Sequence, residues 1–352
     1  MVTAQLTVEV LLAGLAGGVI GAAIGGLPAL SLAGVVISVG EIATVTGGVT
    51  PDDGGSVTEV FGVEPAALEA VGVSGSVGFG PVLGPHVAFA GGVAAAAYLG
   101  RRETIDTGFR YHQAKSIGQP LGSRPDVLAV GAAFGAGGAV LAQLVAEAGL
   151  PLDPMALAVV ASALVHRIAL GYPLVGPVRD DLLDLSAFER QERWEGQEGR
   201  ARGRRGRLIV EPWLPEHYAW GNVAALGLAV GGLAGYLALA TGSAFLAFGL
   251  TAASLLVLSA GQSSFPVTHH MALPAGIVAV GLDADPTLAV LAAGVVGLLA
   301  GVIGELAERA LYAHGDTHFD PPMVAILLTS LLIAGLVTAG VLDPGPVPYE
   351  EF

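Results

Sequence analysis

Long apolar runs recur from one end of this sequence to the other, and they limit its fold more than any other feature. A helix needs roughly 20 consecutive apolar residues to cross the hydrocarbon core of a bilayer. Hydrophobic residues make up 53% of the chain and charged residues only 13%, which is too apolar for an ordinary soluble domain. The sequence therefore predicts an all-α fold, a polytopic transmembrane helical bundle in a lipid bilayer.

The apolar runs define ten helical segments, which we expect to be about ten membrane spans. Their predicted bounds are 6–24, 27–45, 82–99, 127–148, 154–170, 220–241, 244–260, 265–282, 287–312 and 322–342. Only Gly25 and Gly26 separate the first two segments, so a re-entrant hairpin is an alternative there. The 53 glycines fall mostly inside these runs, where small residues allow helix backbones to approach closely.

Positively charged residues fall on one side of the predicted bundle. If the N-terminus is outside, all 15 lysines and arginines lie in or beside the loops after segments one, three, five, seven and nine. Cytoplasmic loops carry an excess of Lys and Arg, so this distribution predicts the orientation. We expect a multi-pass protein of the cytoplasmic membrane with both termini outside.

Acidic residues outnumber basic ones, and Lys115 is the single lysine in a chain of net charge −15. In this respect, and in its Ala/Gly-rich apolar runs, the chain resembles an uncharacterised family of integral membrane proteins from halophilic archaea. That resemblance implies a membrane protein, and it supplies no catalytic residues because the family has no established activity. The chain contains no cysteine, so any metal site must use histidine and carboxylate ligands.

Polar matches in the same order relate the five segments before the long charged stretch to the five after it. The matching pairs are His86 with His270, Gln143 with Glu305, and Asp153 with Asp320. We therefore predict a first transmembrane repeat at 1–175, a cytoplasmic charged linker at 176–216, a second repeat at 217–345 and a short acidic tail at 346–352. We also expect a short amphipathic helix within the linker.

Five segments in each half is an odd number, so the second half must enter the membrane from the side opposite to the first. The sequence thus predicts a five-plus-five inverted-topology repeat. Many transporters share this architecture, and their solute path runs between the two halves. Broken helices at corresponding positions of the halves mark such a path, and prolines and glycines surround both His86 and His270. The residues that we predict to line it are His86, His270, Glu305, Gln143 and Glu41.

The motif HGDTHFDPP, residues 314–322, permits two interpretations. Imidazole and carboxylate groups suit a divalent transition metal, and the predicted ligands are His269, His270, His314, Asp316, His318 and Asp320. The alternative is a polar turn at the membrane surface in which Asp320 caps the last helix, as Asp153 would cap the fifth. Glu305 and Arg309 are four residues apart and can form an ion pair on one helix face.

These features favour a transporter or channel-like permease for a small solute or ion. The alternatives are a membrane subunit of a larger complex that binds a protein partner through the linker, and a membrane-embedded metal-dependent enzyme. The chain shows no nucleotide-binding loop or hydrolase motif, so an enzyme is the less favoured class. We expect no nucleic-acid partner, and no cofactor other than the divalent metal considered above.

Overall fold

The computed structural model describes residues 7–47, 72–102, 113–193, 208–214 and 217–343. This part of the chain is helical, and its strand pairing is limited to one isolated bridge between Arg193 and Leu208. Its α-helices are α1 (Val8–Ile24), α2 (Gly26–Gly47), α3 (Ala90–Arg101), α4 (Pro125–Glu147), α5 (Pro154–Ala169), α6 (Ser186–Glu189), α7 (Trp220–Thr241), α8 (Leu246–Ala253), α9 (Leu256–Ser259), α10 (His269–Gly281), α11 (Pro286–Ala307) and α12 (Pro321–Thr338).

Each of the ten predicted segments contains a helix, and five helical stretches are long and apolar enough to cross a membrane. These stretches are Gly26–Thr46, Pro125–Glu147, Trp220–Thr241, Pro286–Tyr312 and Pro321–Thr338. Large apolar side chains on them point away from the protein, among them Leu233 and Leu291, which are about 60% exposed. Such faces are compatible with lipid, and together with the five stretches they indicate a membrane protein.

Glycines form the contacts between the most closely packed helices. In the first half, Gly14 and Gly18 of α1 lie against Gly131 and Gly135 of α4. In the second half, α7 packs on α11 in the same way, through Gly227, Gly231, Ala293 and Gly297. The four-residue spacing places the small residues on one helix face, so the backbones touch without intervening side chains.

Two antiparallel helix pairs join the halves. Helices α2 and α8 are antiparallel because Gly34 lies against Ala253 while Ser38 lies against Gly249. Helices α5 and α12 are antiparallel as well. The backbone N–H of Asp153, at the start of α5, donates to Ser330 in the middle of α12 (2.9 Å), whereas residues near the end of α5 contact Thr317, which precedes α12.

The predicted helix caps are confirmed. Asp153 accepts a hydrogen bond from the Ala156 N–H (2.8 Å), and Asp320 accepts one from the Met323 N–H (3.0 Å). Each is followed by proline, which suits the first turn because a proline lacks an N–H that would need a partner there.

The described parts of the predicted linker pack against the protein. Leu185, Ile209 and Val210 are buried in one apolar cluster with Ala313. The short helix in this stretch is α6, which precedes the densest run of charges. That run, residues 194–207, lies outside the described residues.

Candidate functional site

Two cavities are lined by residues that correspond between the halves. The first, which we call the Gln143 cavity, contains Val10, His86, Gln143 and Pro154 and has a volume of about 500 Å³. The second, the Glu305 cavity, contains the corresponding residues Val223, His270, Glu305 and Pro321 and has a volume of about 50 Å³. The structure thus brings together His86 with Gln143, and His270 with Glu305, in two separate places.

The cavities lie at opposite ends of the α5–α12 pair. The first residues of α5 line the Gln143 cavity, and the first residues of α12 line the Glu305 cavity. Because these helices are antiparallel, their N-terminal ends point in opposite directions. The positive end of one helix dipole therefore lies at each cavity, and an aspartate caps that end of the helix.

His86 and His270 occupy similar environments. They are 5% and 6% exposed, and the Nδ1 atom of each has no hydrogen-bond partner among the described residues. Proline shapes the backbone at both positions: a π-helical turn, Pro85–Phe89, carries His86, and α10 contains Pro274 one turn after His270. A buried polar atom without a partner is costly, so these imidazoles are candidates for contact with a solute or with water in the cavities.

The Glu305 cavity carries acidic groups that the Gln143 cavity lacks. The predicted ion pair is present, with Arg309 Nε donating to Glu305 Oε1 at 2.6 Å. Glu308 lines the same cavity, and its Oε1 accepts the backbone N–H of Trp213 at 2.7 Å. Trp213 and Leu214 come from the linker and form one wall, so the linker partly covers this cavity.

Glu41 is held away from both cavities, and it lines neither of them in the described part of the chain. Its Oε1 accepts a hydrogen bond from Ser74 (2.7 Å), and its Oε2 accepts one from Ser243 (2.6 Å). Glu41 therefore links the first half of the chain to the loop between α7 and α8.

The motif HGDTHFD is buried, which contradicts the expectation of a turn at the membrane surface. Arg167, at the end of α5, is fully buried and donates to Thr317 Oγ1 (2.9 Å) and to the carbonyl oxygens of Leu311 (2.7 Å) and Thr317 (3.1 Å). The guanidinium also lies 4.9 Å from the centre of the Phe319 ring. The Arg167 guanidinium thus supplies hydrogen-bond donors to loop oxygens that are buried away from water and would otherwise lack a partner.

The six predicted metal ligands do not form one metal-binding group in the described residues. His314 Nε2 contacts the Leu182 carbonyl (3.0 Å), His318 Nε2 contacts Asp320 (3.1 Å), and His269 packs against Phe248 with no hydrogen-bond partner in the described residues. No three His, Asp or Glu side chains in the described part are arranged to hold a metal ion.

Burial disfavours the charged form of both histidines of the loop. Burial lowers the pKa of His318, although its hydrogen bond to Asp320 acts in the opposite direction. Burial also lowers the pKa of His314, which the hydrogen bond to Leu182 partly offsets. Phe89, Trp213 and Tyr312 surround the His318 ring edge to face, so an apolar aromatic pocket disfavours the imidazolium.

Sequence reasoning missed the groups that enclose this loop. The sequence places Arg167 and Lys115 only among the cations in or beside the predicted cytoplasmic loops. Lys115 is instead buried, 3.2 Å from Glu211 and 4.4 Å from the centre of the Tyr312 ring. The available signal was the placement of His166 and Arg167 within an apolar run, because a charged group there usually faces the interior.

The chain belongs to a family of unknown function, DUF7973, whose sequence profile matches residues 1–349. No curated protein and no solved structure matches the chain.

Proposed function

We propose that this member of a family without an assigned function is a membrane transporter, one that moves a small solute or ion between the Gln143 cavity and the Glu305 cavity. The observation that carries the proposal is the correspondence of the two cavities. Matching residues line them, and they lie at the opposite N-terminal ends of two antiparallel helices. Solute sites of transporters built from inverted repeats lie between the halves in the same way.

The packing of helices supports an inverted repeat. The α1–α4 and α7–α11 contacts use glycines at corresponding positions, and the pairs that join the halves, α2–α8 and α5–α12, each combine corresponding helices. Two corresponding helices that pack antiparallel are related by an axis perpendicular to them. If the helices cross the bilayer, that axis lies in the membrane plane, as inverted topology requires.

The unequal volumes of the cavities favour alternating access over a fixed pore. The Gln143 cavity is open enough for a small solute, whereas Trp213 and Leu214 help to close the Glu305 cavity. The reverse state would enlarge the Glu305 cavity and close the Gln143 cavity. The chain has no nucleotide-binding motif, so the movement is passive or driven by an ion gradient.

Uptake by the purified protein in proteoliposomes tests the activity directly. We expect uptake of at least one labelled cation, anion or small polar solute above that of empty liposomes. A Gln143→Leu variant should reduce this uptake, whereas Leu144→Ala, at a neighbouring residue that is 52% exposed and does not line the cavity, should not. Failure to transport any solute from a panel of these three classes, with a correctly folded protein, would refute the proposal.

Cysteine labelling tests the arrangement of the cavities without knowledge of the solute. The chain has no cysteine, so single substitutions can be labelled specifically. A membrane-impermeant maleimide should modify Val10→Cys from one side of the membrane and, in the state that opens the Glu305 cavity, Val223→Cys from the other, because these residues correspond but line different cavities. Leu233→Cys, which is 59% exposed on the apolar face of α7, should react from neither side. Labelling of both cavity variants from the same side would contradict inverted topology.

A further inference from the structure

Two carboxylates line the Glu305 cavity, whereas none lines the Gln143 cavity. Glu305 and Glu308 both line it, and Arg309 forms an ion pair with Glu305. At the corresponding positions the Gln143 cavity has Gln143 and Ala146. Glu147, which corresponds to Arg309, is exposed and accepts a hydrogen bond from Gln143 at 3.1 Å, but it does not line the cavity.

The other groups around Glu308 leave this excess in place. Lys115 lies near it from the loop before α4, but Lys115 is itself 3.2 Å from Glu211, and that pair adds no net charge. His270 and His217 line the cavity, and Trp213 contributes only its N–H to Glu308. Two carboxylates thus share an apolar, buried space with one guanidinium, and the ionisation of both is unfavourable.

A proton suits this cavity better than a metal cation. Hard cations need about six oxygen ligands, and the two carboxylates are accompanied by apolar walls that include Val223, Val267 and Met271. The described residues also contain no group of three metal-binding side chains. His270, 94% buried and with Nδ1 unpartnered in the described residues, faces the same cavity and can accept a proton there and return it.

We infer that the Glu305 cavity is a proton-exchange site, in which the Glu305–Glu308 pair holds one proton that His270 can exchange with water in the cavity. In each exchange one O–H bond forms or breaks at a carboxylate, and the proton comes from or returns to solvent. Use of this proton to drive a solute rests on the transporter function proposed above. The presence of the proton does not depend on that function.

Infrared spectroscopy of the purified protein tests the site without a solute. Near neutral pH we expect a protonated-carboxyl C=O band that shifts in deuterium oxide. Both Glu308→Gln and Glu305→Gln should weaken it, because each removes one of the two carboxyl groups that share the proton, which burial of these groups and the repulsion between them retain. Glu147→Gln, at an exposed glutamate, should keep the band.

Three results would overturn the inference. They are the absence of the band from the unmodified protein, its persistence in both cavity variants, and its loss when sodium chloride replaces choline chloride, which would assign the site to a metal cation. In proteoliposomes that transport a solute, an imposed pH gradient should accelerate uptake by the unmodified protein and leave Glu308→Gln unaffected. If the band is observed but no solute is transported, the proton site still stands and only the transporter function is refuted.

Discussion

Replacement of Arg167 with alanine is expected to destabilise the protein by about 3–5 kcal/mol, because several acceptors lose a charged hydrogen-bond donor at about 1–3 kcal/mol each. The Arg167 side chain donates to Thr317 Oγ1 and to the carbonyl oxygens of Leu174, Leu311 and Thr317. With alanine these acceptors lose their donor, the two Thr317 oxygens at a buried position, and the packing against Phe319 is lost as well.

The apparent melting temperature in detergent measures this effect, with two further variants for comparison. Arg167→Lys keeps the charge but loses the fork of donors, so we expect a stability between those of alanine and arginine. Arg190→Ala removes an exposed guanidinium that contacts Asp180 and Glu192, and we expect little change. Similar melting temperatures for Arg167→Ala and Arg190→Ala would show that the buried network contributes nothing.

The helices could be predicted from the sequence because hydrophobic length and helix capping are local properties. Every segment that the apolar runs predict contains a helix. The prolines that follow Asp153 and Asp320 identify these aspartates as helix caps. Neither property depends on contacts between distant residues.

The loop at residues 314–320 could not be predicted in the same way. Its burial depends on α5, on the linker and on α3, which meet only in the folded chain: Arg167, Trp213 and Phe89 all contact it. A polar motif between two apolar segments is most simply interpreted as a surface turn, and that interpretation was wrong because the loop's partners come from distant parts of the chain.

The cavities were predictable in part. Internal matches identified four of their residues, namely His86, Gln143, His270 and Glu305. Glu41, predicted for the same path, accepts hydrogen bonds from Ser74 and Ser243 and lines neither of the two cavities described. The contribution of Trp213 was not predictable, because no local pattern indicates where a linker packs.

Substitution of Gly138 with alanine should destabilise the protein by about 3 kcal/mol, at the upper end of the usual range for an overpacked contact. A Cβ atom at this position would lie 1.7 Å from the carbonyl oxygen of His86. The obstacle is backbone rather than the end of a flexible side chain, so α4 would have to move away from the turn that carries His86.

Gly137→Ala provides the matched control, because it adds the same methyl group to the neighbouring residue of α4, where no atom lies within 4 Å. Here alanine should stabilise by up to about 1 kcal/mol, since glycine is the poorer helix former. The two adjacent substitutions are thus expected to change the melting temperature in opposite directions.

Gly231→Ala and Gly232→Ala repeat the comparison in α7. A Cβ atom would lie 2.4 Å from the Ala293 carbonyl oxygen at Gly231 and would have no atom within 4 Å at Gly232. Equal effects within either pair would contradict the helix contacts described above, and with them the placement of His86 in the Gln143 cavity.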